Sequence, residues 1–262
     1  MSREIVMFEQ ALATSMRKIE SVLPDGMNSR RFCRMAIGQV ERTPALRSCT
    51  PQSFALAVMG CAELGLEPAL GMAYIVPFKE TATLIIGYQG MIQLARNSGQ
   101  VLDIWANVVR EGDDFEVTQG TERRLHHVER PGDGEDVDAR GITHAYACAV
   151  LKGTDRTAFL VMTRSEIDKR MAVSKSAHLD GSVAQAWGKE YCQKTVVRAF
   201  FKYLPKSTQM QAAAIMDDDG AMGKQTRPMS VPARPEPLPW EQPAEPDACP
   251  ADTPFDGTED EG

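Results

Sequence analysis

The chain has 262 residues, 43% hydrophobic and 25% charged, which suits one large domain or two small ones. Its net charge of −7 would count against a polyanionic partner only if the charge were evenly spread. No stretch approaches about 18 uncharged apolar residues and the N-terminus has no signal-type apolar region, so a membrane span and secretion are not expected.

Residues 2–22 and 28–42 have apolar positions recurring at three and four, with Pro24 and Pro44 as punctuation, and read as helices. A third helix is expected from Pro51, capped by Thr50, to about Glu63, ending near Gly65. The period then changes to two. Residues 72–79 (MAYIVPFK) and 81–87 (TATLIIG) read as strands across a tight turn at 79–80. Residues 88–97 (YQGMIQLARN) read as a helix closed by Ser98 and Gly99, and residues 101–110 as a strand. Residues 115–118 and 124–128 are weaker strand candidates, and the polar segment 129–141 reads as a loop. Residues 144–151 and 157–163 form a second hairpin around Lys152 and Gly153. A short helix over 165–171 is expected with Ser165 as its cap, followed by a polar connection over 174–182.

The stretch 187–204, WGKEYCQKTVVRAFFKYL, carries the strongest functional signal. Lys194, Arg198 and Lys202 sit four apart, within an arc of roughly 80° on a helix. Val196, Val197, Phe200, Phe201 and Leu204 take the opposite side, while Trp187 and Tyr191 project back toward the charges. Fixed positive charge interleaved with aromatic rings suits a nucleic-acid backbone and its exposed bases; a solvated face on a core helix is the plainer alternative. The charge distribution favours the former. Residues 1–216 carry 26 Lys and Arg against 24 Asp and Glu, residues 151–206 carry 11 against 5, and residues 217–262 carry 3 against 12. Residues 224–262 hold nine of the sixteen prolines and nine acidic residues, so 217–262 reads as an acidic, disordered tail behind a domain over 1–216.

Four segments, in this order, resemble the RecT family of phage single-strand annealing proteins. They are CAELGLEP (61–68) with AYIVPFK (73–79), LIIGYQGMIQLAR (84–96), RSEIDKRMAVS (164–174) and AWGKEYCQKTVVRAFFKYLPKS (186–207). Ala186 departs from the Pro that family members often carry there. The resemblance implies an α+β fold: N-terminal helices, then a small mixed or antiparallel sheet packed with helices, similar to the Rad52-like annealing core. It implies ATP-independent binding of single-stranded DNA, annealing of complementary strands and retention of the duplex product, by a homo-oligomeric ring or filament. A 5′→3′ exonuclease and a host single-strand-binding protein are the implied partners, in the cytoplasm. The candidate DNA-binding residues are Lys194, Arg198 and Lys202, then Trp187, Tyr191, Tyr88, Gln89, Arg96, Lys175 and Lys206. Gly87 and Gly90, around Tyr88 and Gln89, read either as a turn that admits DNA or as a strand-to-helix turn needing positive φ and close packing.

Other chemistries lack their residues. GAMGKQT (220–226) fails as a phosphate loop, having Asp218 where a glycine is needed and Gln225 where a hydroxyl is needed. His126 and His127 would face opposite sides of a strand. Asp113–Asp114 and Asp217–Asp219 read as loop and tail, without the convergence of carboxylates that a two-metal nuclease requires. The six cysteines show neither a CxxC pair nor zinc spacing and read as reduced thiols. No cofactor, metal or catalytic residue is expected. A metal-dependent nuclease and a sequence-specific duplex binder remain as alternatives. In the tail, Pro254–Phe255–Asp256 suggests a tip that competes with DNA, and Trp240 a docking element; a plain solubilising tail and an incidental Trp are the favoured readings.

Overall fold

Side-chain caps set the helix starts. Asn28 Oδ1 accepts the Arg31 N–H at 2.9 Å, Thr50 Oγ1 that of Ser53 at 3.3 Å and Ser207 Oγ that of Met210 at 3.2 Å. In the computed structural model, which describes residues 3–154, 157–173 and 188–230, these caps open α2 (Ser29–Arg42), α3 (Pro51–Leu64) and α8 (Thr208–Ala221). The connection over 174–182 and the tail beyond residue 230 lie outside the described residues.

Helix α1 (Arg3–Val22) packs its apolar stripe on α3, with Phe8 meeting Phe54 edge-on at 5.2 Å between ring centroids. A 3₁₀ turn (Pro44–Ser48) links α2 to α3, and Gly65 at φ +65° ends α3. Strands β1 (Ala73–Phe78) and β2 (Thr81–Ile86) form the expected hairpin, and α4 (Tyr88–Asn97) follows directly. The second sheet is antiparallel, in the order β3 (Val101–Arg110), β6 (Ile142–Leu151), β7 (Thr157–Thr163). Its inner face is lined by small residues, Ala145, Ala147 and Ala149, and receives α7 (Gly188–Phe201). The hairpin of β4 (Asp114–Thr118) and β5 (Arg124–Val128) covers part of the outer face, burying Phe115, Val117 and Leu125 against Val109 and Tyr146. The arrangement is α+β with antiparallel pairing throughout the described residues, as expected.

Several local expectations need correction. Helix α6 (Arg164–Val173) is capped by Thr163, not Ser165: Thr163 Oγ1 accepts the Glu166 N–H at 3.3 Å, and Glu166 Oε2 accepts the Thr163 N–H at 2.8 Å. The loop over 129–141 contains a short helix, α5 (Gly134–Ala139). Gly87 does not use positive φ; it sits at −68°. Close packing requires it instead, because a Cβ there would lie 1.8 Å from the Gly71 carbonyl oxygen, and one at Gly90 would lie 2.2 Å from that of Met72.

The largest difference concerns the C-terminal boundary. Asp217–Asp219 lie inside α8, and the chain beyond that helix remains packed through residue 230. The cause is the free edge of β2. The Ala82 N–H donates to Ser53 Oγ at 2.9 Å, the Leu84 N–H donates to Thr226 Oγ1 at 2.9 Å, and the Ile86 N–H approaches the Asp217 carboxylate. Glu63, 7% exposed, accepts the N–H groups of Met229 and Ser230, both at 2.7 Å. Side chains and a strap thus replace a neighbouring strand on that edge. Thr226→Val keeps the shape and removes the acceptor, leaving the buried Leu84 N–H unpaired. The expected loss is about 1–3 kcal/mol of unfolding free energy by chemical denaturation; an unchanged midpoint would mean that the strap contributes nothing.

Candidate nucleic-acid interface

Helix α7 carries the basic stripe, and burial of Val196, Val197, Phe200 and Phe201 fixes which side it presents. The three cations are not equivalent. Arg198 is about a quarter exposed and its Nη2 lies 2.5 Å from Asp217 Oδ2. Lys202 Nζ holds Asp218 with contacts of 2.6 and 2.9 Å, both partners being half exposed. Lys194 has no carboxylate within ion-pair distance among the described residues. Partial desolvation and the neighbouring Arg198 charge push its pKa down, against the pull of Asp217. Burial pushes the Asp217 carboxyl up, opposed by Arg198 and the Ile86 N–H.

Asp217 also gathers candidates that are distant in sequence. It joins α7 to Ile86 at the end of β2, two residues before Tyr88 opens α4, and α4 packs against both α7 and α8. The α4 N-terminus has no side-chain cap, and Gln89 is exposed, with Nε2 3.5 Å from Tyr88 Oη. Tyr88 and Tyr191 are half-buried against the core. Arg96 sits at the other end of α4, roughly 12 Å along the axis from Tyr88, and pairs with Asp103 at 3.1 Å. Lys206 is exposed just beyond α7. Trp187 and Lys175 lie outside the described residues.

A second surface was not anticipated. On the outer face of the β3–β6–β7 sheet, the β4–β5 hairpin leaves a cleft of about 960 Å³ beside Trp105, Phe159, Arg123 and Arg124. Its hairpin wall is held by a buried relay in which His127 Nε2 lies 3.1 Å from Asp113 Oδ2 and Nδ1 lies 3.1 Å from Tyr146 Oη. With Asp113 ionised, Nε2–H donates to the carboxylate, and in the neutral ring Nδ1 then accepts the tyrosine proton. Burial pushes the Asp113 carboxyl up, but N–H donation from Arg110 and Arg130 and the His127 contact outweigh it and hold the group below its usual range. His126 points away and is exposed, as strand alternation dictates. The sequence did carry a sign of this surface: in VLDIWANVVR the buried Ile104 and Val108 share the inner face, so Trp105 must point out.

Among the described residues, no group of three His, Cys, Asp or Glu side chains is placed to hold a metal ion, and no helix is long and apolar enough to cross a membrane. Burial pushes the Cys61 thiol up to about 12 and the Cys148 thiol up to about 11, away from nucleophilic reactivity.

The RecT family model matches residues 30–232. Protein RecT of Escherichia coli (strain K12) is 42% identical over 211 residues, covering 77% of this chain and 76% of that protein. A second relative, the uncharacterized protein YqaK of Bacillus subtilis (strain 168), is 27% identical over 206 residues, covering 78% of this chain and 68% of its own.

The geometry separates stability from charge on α7. Arg198→Ala strands the Asp217 carboxylate and is expected to cost roughly 1–3 kcal/mol, less than the 3–5 of a fully buried pair because part of Arg198 remains in water. Lys194→Ala is expected to stay within about 0.5 kcal/mol of the parent. Urea titration of both variants checks this; equal stabilities would remove the Arg198–Asp217 pair from the fold's support.

Proposed function

Because the chain belongs to the RecT family of DNA-binding recombination and strand-annealing proteins, we propose that it binds single-stranded DNA and anneals complementary strands without ATP, as an oligomer on the DNA. The observation that carries this reading is that all four sequence segments fall inside the matched span, residues 30–232, with the basic helix near its end.

The chemistry required is electrostatic rather than covalent. Two polyanions must approach, so phosphate charge must be neutralised while base edges stay free to test pairing. Lys194 is the stripe's cation most open to a phosphate, with Lys202 and Lys206 as further point charges and Arg198 as a bidentate donor. The pairs with Asp217 and Asp218 compete with phosphate for Arg198 and Lys202. Gln89 and the uncapped N–H groups of α4 offer neutral donors nearby. Tyr88 and Tyr191, being half-buried, have limited ring surface for stacking; Trp187, Arg96 and Lys175 complete the proposed contact set. A 5′→3′ exonuclease would expose the strand, and a host single-strand-binding protein would cover it, in the bacterial cytoplasm.

Fluorescence anisotropy with a labelled single strand and a blunt duplex of equal length tests this. Single-strand binding should be tighter without nucleotide. In Lys194→Glu and Lys202→Glu the slope of log K against log salt should shrink in magnitude by about 0.7 for each phosphate that is no longer neutralised. End-labelled DNA incubated with Mg²⁺ should stay full length. Equal affinity for duplex, an unchanged salt slope, or shortened DNA would overturn the reading.

A further inference from the structure

We infer that the outer-face cleft is a nucleobase-binding slot for single-stranded DNA, in which an unpaired base inserts between the Trp105 indole and the Arg123 guanidinium; this rests on the single-strand binding proposed above. Strand register places the groups. Trp105 pairs with Cys148 and Cys148 pairs with Phe159, so the three side chains form one row on one face. The outer strands of that row are about 10 Å apart at the backbone, with only a thiol between two aromatic rings. A flat base contacting both walls needs about 3.5 Å on each side, which the row accommodates.

The walls differ in kind. Trp105 stands 40% exposed on a sheet whose other aromatics are covered. Leaving that much indole in water is unfavourable, and stacking on a base would offset it. Phe159 is only 7% exposed, packed with Tyr146 and Cys148, and the Arg123 guanidinium lies over its ring, 5.7 Å from the centroid. That contact keeps a cation at the wall of the cleft, which Arg123 also lines. Arg124 adds positive charge at the rim, while Glu122 reaches Arg124 only at 3.9 Å. Phosphates flanking an inserted base therefore meet a net positive rim. The slot is also preorganised, since the Asp113–His127–Tyr146 relay fixes the hairpin wall and little ordering remains for binding. A duplex has no free base face to offer, so the slot selects single strands. It lies on the opposite side of the sheet from α7 and constitutes a second contact surface.

The test compares an oligo-dT strand with an abasic strand of equal length, which carries the phosphates but no bases. Trp105→Ala and Arg123→Gln should each weaken oligo-dT binding about tenfold; abasic binding should be unchanged in the first and fall much less than oligo-dT binding in the second, with native circular dichroism. Trp105→Phe should retain most of the affinity, which guards against misreading an unfolded alanine variant. In a Trp187→Phe, Trp240→Phe background, the remaining Trp105 emission should be quenched by oligo-dT. Unchanged oligo-dT binding in both variants would overturn the slot while leaving single-strand binding intact. Equal losses for oligo-dT and abasic strands would reduce the cleft to a phosphate contact. Trp105 quenching by an acidic peptide spanning residues 250–262, but not by oligo-dT, would reassign it to protein. A parent protein that binds neither strand would sink the functional reading itself.

Discussion

The free edge of β2 is the constraint on which the architecture turns. Each strand of a two-stranded hairpin leaves an outward row of N–H groups unpaired, and burying the row of β2 uncapped would cost more than the hairpin gains. Here the row is met by side chains from three places: Ser53 from α3, Thr226 from the strap and Asp217 from α8. Each comes from a different part of the chain, so the hairpin holds the N-terminal helices and the C-terminal segment together. Gly220 fits this arrangement, because a Cβ there would lie 2.4 Å from the Leu84 carbonyl oxygen. Gly60 lets α3 approach in the same way, a Cβ at that position meeting Thr226 Cγ2 at 2.9 Å.

Asp217 carries this constraint into the electrostatics of α7. A carboxylate buried beside a backbone N–H needs a cation, and Arg198 supplies it. The same guanidinium is the bidentate phosphate donor that a basic helix would offer DNA. Lys202 is similarly shared with Asp218, but both partners are half exposed, so that pair is weak and salt-sensitive. The positive potential of α7 is therefore smaller than its residue types suggest, and Lys194 carries a larger part of it. The outer-face cleft has another logic, with an exposed indole and a guanidinium lying over an aromatic ring.

The helices and hairpins are legible because their periods and punctuation are local: Thr50 before Pro51, Gly65 after Leu64, and the turn at 79–80 between two apolar runs. The misreadings share a cause. Asp217–Asp219 are charged and followed by a Pro-rich segment, so composition assigns them to the tail, while the burial of Asp217 goes with an N–H group more than a hundred residues earlier. Thr163 and Ser165 both suit a cap by residue type, and only the reciprocal bond from Glu166 decides between them. The basic stripe is legible as a pattern, but its acidic partners are not, since ion pairing across 16 or 19 positions leaves no periodic trace. His127 and Asp113 meet Tyr146 across sheet layers for the same reason, and only the inward and outward alternation around Trp105 hints at that face.

In the proposed function the chain brings complementary strands together by neutralising their charge, with no nucleotide consumed. Stopped-flow resonance energy transfer between two complementary labelled oligonucleotides, mixed with the full chain in the absence of ATP, tests it most directly. Pairing well above the spontaneous rate is expected, with acceleration that declines as salt rises. Pairing at the spontaneous rate, by protein that is folded and bound to the single strands, would contradict it.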